Sequence, residues 1–181
     1  MKILSSNQNK IYEFERILNN LINVEVGPDI KEIDGSAFDI IIYKSLHAGQ
    51  DTIVEDTVLY IDDKLINDIK WATTSKLKRN INRKVTWEVN LGLNIQDEIR
   101  VFQGHVHGII VEPRGEGFGF DAWFKPDGSD LTLGELQNKD TVSARYNAVY
   151  NLLFGEPEVV VNKNKILPYT GKYQNEKEHY E

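Results

Sequence analysis

The sequence contains no cysteine and only one methionine among its 181 residues. The absence of cysteine excludes a disulfide framework, a thiolate metal site and a cysteine nucleophile, and it is typical of proteins from a reducing compartment. We therefore expect a cytoplasmic protein. The hydrophobic fraction of 40% supports a packed core, and the length suits one domain, organised as two lobes around a cleft.

The chain also lacks long apolar runs and an excess of positive charge. No run approaches the roughly 18 apolar residues of a membrane span, and the apolar run in MKILSSNQNK is too short for a signal peptide. The net charge of −7 argues against a nucleic acid polymer as partner, because such binding needs many lysines and arginines. A small anion remains compatible, since it needs only a local group of cations or a bound divalent metal.

Several catalytic motifs are missing as well. The sequence has no G-x-S-x-G elbow, no P-loop and no H-E-x-x-H, so acyl transfer, P-loop ATPase and zinc protease chemistry have no support.

Strands and helices alternate along the sequence in the manner of an α/β protein. Apolar residues at helical spacing predict a helix over 7–21, directly after a buried strand at 1–5. Similar patterns predict a strand at 24–26, a helix at 38–48, one or two strands in 52–61, a strand at 100–112 with bulges at Gly104 and Gly108, and a helix at 140–154.

Two segments have weaker patterns. Between about Asp62 and Ile95 the apolar residues are spaced for helices, which predicts two helices joined by a loop. We assign residues 1–155 to the main domain and residues 156–181 to a C-terminal extension. Within the extension, EVVV and ILPY predict a hairpin, followed by a charged, mobile end.

The segment from Pro113 to Arg145 mixes glycine turns, aromatics, an acid and cations in a way that no ordinary core segment needs. Its glycines allow tight turns and close backbone approach to a ligand, and Phe118, Phe120 and Trp123 offer flat faces for stacking. A bent strand in a core is the alternative interpretation of such a run.

Paired carboxylates occur at Glu55 and Asp56, after the apolar run TIV. A strand can hold two such carboxylates at the rim of a sheet, where they suit a metal, although an isolated pair is more often a solvated strand end. The acid Glu32 upstream strengthens the metal interpretation.

Phosphate-binding chemistry is suggested by Ser5, Ser6 and Asn7, which precede a helix that carries Lys10. Hydroxyls, an amide, free helix N–H groups and an ammonium suit a phosphate, and an N-cap followed by a surface lysine is the alternative. Lys44 in an apolar helix is either a second phosphate ligand or a surface lysine whose stem lies along apolar surface.

The segment PRGEGFGFDAWFKPDGSDLTLGELQNKDTVSAR resembles the signature of the inosine triphosphate pyrophosphatase family, the XTP/dITP diphosphatases. Three upstream segments resemble other motifs of that family in the same order: SSNQNKIYEFERIL, KEIDGSAFDIIIYK and IVEDTVLYID. These ordered matches extend from residue 1 to about residue 153. The resemblance implies a central mixed, elongated and twisted sheet flanked by helices, with two lobes around a nucleotide-binding cleft.

The resemblance also implies a Mg²⁺-dependent, homodimeric nucleoside triphosphate pyrophosphohydrolase. Such an enzyme cuts between the α and β phosphates of ITP, dITP and XTP and so cleanses nucleotide pools. By resemblance, the phosphates would be held by Ser5, Asn7, Lys10 and Lys44, and the metal and attacking water by Glu32, Glu55 and Asp56, with Asp56 as general base. The base would be bound by Phe118, Phe120, Asp121, Lys139, Ser143 and Arg145.

The sequence departs from the family pattern at several positions. Ala144 stands where the family has a histidine beside the base, which removes a donor that helps to prefer hypoxanthine or xanthine over adenine. Ala122 replaces a proline, and Ser6 replaces a glycine of the phosphate loop. Residues 62–72 contain no glycine, whereas the family has a glycine- and proline-rich loop near the metal.

These departures leave two alternatives open. One is the same chemistry with a changed base preference, for another purine or a modified deoxynucleotide. The other is a nucleotide-binding module without catalysis, against which the retention of all three acids and both lysines argues. We assign Trp71 and Trp87 to core or interface packing, and His105 and His107 to an exposed strand face rather than a metal site.

Overall fold

A mixed β-sheet with flanking helices organises residues 1–66 and 74–174, which the computed structural model describes. The strands are β1 (Lys2–Ser5), β2 (Asn23–Val26), β3 (Thr52–Ile61), β4 (Lys64–Ile66), β5 (Lys84–Ile95), β6 (Glu98–Ile110), β7 (Phe124–Pro126) and β8 (Val159–Asn162). The helices are α1 (Gln8–Leu18), α2 (Ala37–Ala48), α3 (Thr74–Lys78) and α4 (Ala144–Phe154), with short 3-10 turns at Asp121–Trp123, Asp140–Val142 and Lys163–Lys165.

The strand order combines parallel and antiparallel neighbours. The order is β2-β1-β3-β5-β6-β7, with β4 paired to β3 and β8 paired to β6. The strands β2 and β3 run parallel to β1, whereas β4 is antiparallel to β3, and β7 and β8 are antiparallel to β6. The predicted α/β class with a mixed, twisted sheet and flanking helices is therefore confirmed.

The described chain divides into two compact units. The first comprises Met1–Asp56, Asn90–Gln103 and Ala148–Glu181, and the second comprises Thr57–Val89 and Gly104–Asn147, in both cases counting only described residues. The division falls within β3, between Asp56 and Thr57.

The core of the first unit forms where α2 packs against strands. Ile41 and Ile42 of α2 are buried together with Val54, Ile99 and Val101. Gly92 makes this close approach possible, because a Cβ at that position would lie only 3.0 Å from side-chain atoms of Ile41 and Ser45.

The predicted first helix is shorter than expected. α1 begins after Asn7, whose side chain caps it, and ends at Leu18 rather than Leu21. Asn19 adopts a left-handed conformation with φ of 45°, and its N–H donates to the Glu15 carbonyl. This conformation closes the helix, so the apolar residue at 21 lies beyond its end.

The prediction of two helices between Asp62 and Ile95 is wrong. The described part of this segment contains β4, the short helix α3 and the long strand β5. Alternate apolar residues of β5 are buried, but Glu88 and Asn90 on the opposite side of the strand are buried too. The apolar residues of β5 do alternate in the sequence from Val85 to Leu93, and the prediction of helices failed because it rested on the wider spacing of apolar residues from Leu65 to Val85.

Two further expectations about local structure need correction. Gly108 pairs in regular register with Pro126 and makes no bulge there, and a Cβ on it would collide with the Lys125 carbonyl. The helix predicted over 140–154 begins only at Ala144, because residues 140–142 form a 3-10 turn that Ser143 separates from α4. No helix in the described part of the chain is long and apolar enough to cross a membrane.

The predicted C-terminal hairpin is also wrong. EVVV contributes β8, but β8 pairs with β6 from Glu98 to Val101, and residues 166–169 form no strand. The turn at Lys163–Lys165 directs the chain away, with the Lys163 N–H donating to the Asp97 carbonyl at 2.8 Å. The mobile end predicted after the hairpin falls largely on residues 175–181, which lie outside the described residues.

Candidate active site

Two lysines and three carboxylates come together in the first unit. Glu55 and Asp56 are consecutive in β3, and Glu32 lies in the loop between β2 and α2. Lys10 of α1 places its Nζ 3.1 Å from Glu55 Oε2, and Lys44 of α2 places its Nζ 2.7 Å from Glu32 Oε1. These five residues, which we call the acid–lysine group, are all predicted site residues.

The two acids of β3 are buried, so the alternative of a solvated strand end is wrong. Glu55 is 4% exposed and Asp56 is 7% exposed, because β3 is covered on both faces from Thr52 to Asp56. Burying a carboxylate costs several kcal/mol unless a cation, a hydrogen bond or a proton compensates. A protein that retains adjacent buried acids at this cost uses them for chemistry or binding.

The electrostatics of the group centre on Asp56. Burial raises the pKa of Asp56 to about 7, with Glu32 adding to the increase and Lys44 and Lys10 opposing it. Burial alone would lower the pKa of Lys44, but the negative charges of Glu32, Asp56 and Glu55 outweigh it and raise that pKa. Lys44 is therefore a permanent cation, while Asp56 can take up or release a proton near neutral pH.

The donor set fits a hard divalent cation that completes its coordination elsewhere. Among residues 1–66 and 74–174, no group of three His, Cys, Asp or Glu side chains is close enough to hold a metal alone. Mg²⁺ is usually bound through one or two carboxylates, several waters and substrate phosphates. The oxygens of Glu32, Glu55 and Asp56 match that chemistry.

The start of α1 holds the residues predicted to contact phosphate. The Asn7 side chain accepts hydrogen bonds from the N–H groups of Asn9 and Lys10 at 3.0 and 3.3 Å, and the Asn7 N–H donates to Ser5 Oγ at 3.2 Å. Asn7 is therefore the helix N-cap, as its alternative interpretation stated. Ser6 Oγ donates to Asp29 at 3.3 Å, a contact that nothing in the sequence indicated.

The second unit brings together an acid, a cation and an aromatic ring. Lys139 Nζ lies 2.7 Å from Asp121 Oδ2 and 4.8 Å from the centroid of the Phe118 ring. The Phe118 N–H donates to the same Asp121 oxygen at 3.3 Å. Gly117 is required here, because its φ is 128° and a Cβ would lie 2.6 Å from the Asp121 carboxylate.

The remaining predicted base-binding residues form a separate buried group in the second unit. The ring of Phe120 packs edge-on against Trp87 at 5.5 Å between centroids, and the Arg145 guanidinium lies 5.8 Å from the Trp87 ring. Arg145 is 2% exposed and donates to Thr57 Oγ1 at 3.3 Å. Phe120 and Arg145 thus have their contacts within the protein interior.

Ser143 and Ala144 begin α4 and are buried. Ser143 Oγ accepts from the Tyr146 N–H at 3.2 Å, as an N-cap does. Ala144 is 0% exposed, so the small side chain at the departure from the family pattern is enclosed by protein.

Two further residues of this unit contact predicted site residues, namely Thr57 and Trp87. Thr57 was not predicted as a site residue, although its position directly after the acid pair could have indicated it, and it accepts a hydrogen bond from Arg145. The Trp87 ring packs as predicted, against Phe120 and Phe124, but its indole N–H has no hydrogen-bond partner among the described residues. Trp71 lies outside the described residues.

The two histidines on β6 show the exposed strand face that we predicted. The rings of His105 and His107 are 5.3 Å apart, both residues are exposed, and His107 Nδ1 shares a hydrogen bond with Thr86 Oγ1 at 2.8 Å. No third ligand joins them among the described residues.

Comparison with known proteins places this chain in a family. The model of the Ham1 family matches residues 65–154. The dITP/XTP pyrophosphatase of Korarchaeum cryptofilum is 31% identical over 169 residues, which cover 80% of this chain and 89% of that protein. The chain belongs to the Ham1 family. A further Ham1 relative, the inosine triphosphate pyrophosphatase of Aspergillus fumigatus, is 28% identical over 84% of this chain and 91% of its own length.

Solved Ham1 structures share the fold. The Staphylococcus aureus Ham1 protein superimposes with a TM-score of 0.63 at 26% identity, covering 84% of this chain and 96% of that chain. The resemblance drawn from the sequence is thus confirmed at the level of the Ham1 family and its fold.

Proposed function

We propose that this protein is a nucleoside triphosphate pyrophosphohydrolase that uses Mg²⁺ to release a nucleoside monophosphate and pyrophosphate. The observation that carries the proposal is the acid–lysine group, in which buried carboxylates lie beside lysines. The names of the relatives, which are dITP/XTP and inosine triphosphate pyrophosphatases, support purine triphosphates as the substrate class.

The ion pairs suggest how the group receives its substrate. Lys10 pairs with Glu55 and Lys44 pairs with Glu32, so two of the three carboxylates have a cationic partner before substrate binds. The carboxylates of Glu32 and Glu55 would hold the cation of a metal-bound triphosphate in place of the lysines. The two ammonium groups then pair with phosphate oxygens, so neither set of charges is left uncompensated.

Asp56 is the residue we assign as general base. Its pKa of about 7 is well placed for accepting a proton from water at neutral pH. A bound Mg²⁺ supplies positive charge that neutralises the phosphates and helps to order the attacking water. Within the chain, Lys44 stays charged and stabilises the ionised form of Asp56.

The second unit supplies groups for the base. The Phe118 ring, half-buried below the Lys139 ammonium, offers stacking surface, and Asp121 and Lys139 offer an acceptor and donors. Phe120, Ser143 and Arg145, the other residues that we assign to the base, are buried. Substrates that fit the proposal are ITP, dITP and XTP, and the role that follows is the cleansing of nucleotide pools.

A second candidate keeps the chemistry and changes the base. It is favoured by Ala144, which is fully buried and offers no hydrogen-bond donor at the position of the family's histidine. A site that lacks such a partner rejects the wrong base less strongly. The preferred nucleotide would then be another purine or a modified deoxynucleotide.

The assembly and setting of the enzyme form part of the proposal. A homodimer is supported by an exposed aromatic stripe on α4, where Tyr146, Tyr150 and Phe154 are 41%, 55% and 71% exposed at helical spacing. We place the enzyme in the cytoplasm, without a nucleic acid polymer or membrane as partner. Residues 1–155 form its hydrolase domain, and residues 156–181 form a C-terminal extension.

The decisive experiment is pyrophosphate release in Mg²⁺ from ITP, dITP, XTP, dUTP and the ordinary ribo- and deoxyribonucleoside triphosphates. Products are identified by chromatography. Preference for ITP and XTP supports pool cleansing, and preference for another nucleotide supports the second candidate. Tight nucleotide binding without turnover of any member of the panel contradicts both and indicates a binding module.

A further inference from the structure

The C-terminal extension returns to the loop that carries Glu32. Tyr173 forms an isolated antiparallel bridge with Ile33. The Gln174 N–H donates to the Glu32 carbonyl at 3.0 Å, and Gln174 Nε2 donates to the Ile33 carbonyl at 3.0 Å. The Asp34 N–H in turn donates to the Lys172 carbonyl at 3.2 Å. Hydrogen bonds on either side of the Ile33–Tyr173 bridge, at Glu32 and at Asp34, thereby hold the loop to the extension.

The same extension is attached to α2, next to Lys44. Tyr43 Oη donates to the Leu167 carbonyl at 2.6 Å, and the rings of Tyr43 and Tyr169 lie 5.5 Å apart. Tyr169 Oη donates to the Lys172 carbonyl at 2.6 Å, and its ring packs edge-on against Tyr173. Residues 167–174, which we call the strap, therefore contact both chain segments that meet in the Lys44–Glu32 ion pair.

We infer that the strap positions Glu32 and Lys44 for metal and phosphate, so that its residues tune the affinity of the site for Mg²⁺. The inference rests on the proposed function. Glu32 lies in an irregular loop, whereas Glu55 and Asp56 lie in β3, where hydrogen bonds to neighbouring strands fix the backbone. The backbone at Glu32 depends on the strap for such hydrogen bonds. Residues that orient a metal ligand without binding the metal strongly influence metal affinity.

The strap contacts leave the functional atoms of Glu32 free for their partners. Gln174 and Tyr173 use backbone groups of Glu32 and Ile33, whereas the Glu32 carboxylate points to Lys44 at 2.7 Å. Strap residues are thus positioning residues, because their contacts are with the backbone of the loop and with Tyr43 of α2. Changing them is expected to alter where the carboxylate sits and leave its chemistry intact.

The test uses two point variants of the full chain, alone and combined. Gln174→Ala removes the amide that donates to Ile33, and Tyr169→Phe removes the hydroxyl that donates to Lys172. Gln50→Ala is the matched control for the first, because Gln50 accepts from Lys163 in another loop. Tyr12→Phe is the control for the second, because Tyr12 is 59% exposed on α1.

Two measurements are made on each variant. Hydrogen exchange of the peptide that covers residues 30–36 measures how strongly the strap protects the loop. The Mg²⁺ concentration for half-maximal turnover measures the apparent affinity of the site for Mg²⁺. We expect faster exchange and a roughly tenfold higher Mg²⁺ requirement in the double variant, with kcat at saturating Mg²⁺ within about twofold of wild type. Both controls should match wild type.

Faster exchange with an unchanged Mg²⁺ requirement would make the strap a purely structural element and overturn the inference. Unchanged exchange in the double variant would overturn it as well. Should wild type hydrolyse none of the nucleotides, the proposed function fails on its own. The increase in melting temperature caused by Mg²⁺ alone then replaces turnover, and the strap inference stands only if that increase is smaller in the double variant.

Discussion

The predicted site residues of the two units differ in how closely they interact with one another. Those of the first unit form the acid–lysine group, and those of the second unit include several aromatic residues. In the first unit, all five charged residues are coupled to one another through ion pairs or through the pKa of Asp56. In the second unit, Phe118 and Lys139 are half-buried beside the buried Asp121, while Arg145 is enclosed against Trp87 and Thr57. The charged residues of the first unit thus interact as one group, whereas the predicted residues of the second unit are divided between two groups.

The largest effect should come from Asp56→Asn. The variant keeps the shape of the side chain but cannot accept a proton, so kcat for pyrophosphate release should fall roughly 10³-fold. Asp97→Asn, which changes an exposed acid in the turn between β5 and β6, is the matched control and should retain full activity. Equal turnover by Asp56→Asn and wild type would remove Asp56 from the role of base.

Lys44→Met should have the next largest effect. It leaves Glu32 without its cation at 2.7 Å and removes a phosphate partner, so kcat/KM should fall roughly 100-fold. The control is Lys2→Met, which breaks an ion pair of the same length with Glu25 between side chains that are each 41% exposed. Exposed pairs contribute little, so this control should lose almost nothing. Comparable losses in both variants would mean that burial of the pair is irrelevant to function.

Lys139→Met tests the second unit and should weaken specificity more than chemistry. Lys139→Met lacks the ammonium that contacts both Asp121 and the Phe118 ring, so kcat/KM for the preferred nucleotide should fall about tenfold. The ratio of kcat/KM between the preferred and the other nucleotides should become smaller. Steady-state kinetics on the nucleotide panel gives both quantities. Lys125→Met, which removes a hydrogen bond to the Ser129 carbonyl in the same unit, is the control. A loss shared equally by all nucleotides would show that Lys139 does not read the base.

The smallest effect concerns stability in the absence of metal. Burial and neighbouring acids raise the pKa of Asp56 from 3.8 to about 7, so folding favours its protonated form. The stability that Asp56 contributes is complete below pH 3.8 and is lost as the pH rises through about 7. Relative to wild type, the melting temperature of Asp56→Asn should therefore rise by about 5 °C between pH 5 and pH 8.

That measurement is made in chelator, and added Mg²⁺ should reduce the difference because the cation compensates the Asp56 charge. Asp97→Asn should show no comparable trend between the two pH values. If the difference in melting temperature between Asp56→Asn and wild type is the same at pH 5 and pH 8, folding does not raise the pKa of Asp56.

The sequence singled out the five charged residues that the structure brings together, because each lies in a recognisable local motif. Glu55 and Asp56 follow an apolar strand, and Lys10 follows the cap of a helix, so each position could be inferred from its neighbours. The ion pairs Lys10–Glu55 and Lys44–Glu32 could not, since they join residues from separate elements. Such pairing depends on packing, which no local pattern encodes.

The failures also have physical causes. The prediction of helices in place of β5 failed because it rested on apolar residues spaced from Leu65 to Val85, although Val85, Trp87 and Val89 begin a clear period of two. The C-terminal hairpin was wrong because β8 found a longer-range partner in β6. The burial of Arg145 beside Trp87 could not be predicted either, because it is a property of tertiary packing.

The strap has a consequence for the order in which the protein matures. The hydrogen bond from Gln174 to Ile33 spans 141 positions of the sequence, and the elements of both ion pairs precede it. During synthesis, β3, α1 and α2 leave the ribosome long before Gln174 does. A nascent chain can therefore assemble its charges early, yet Glu32 is anchored only when translation has passed residue 174.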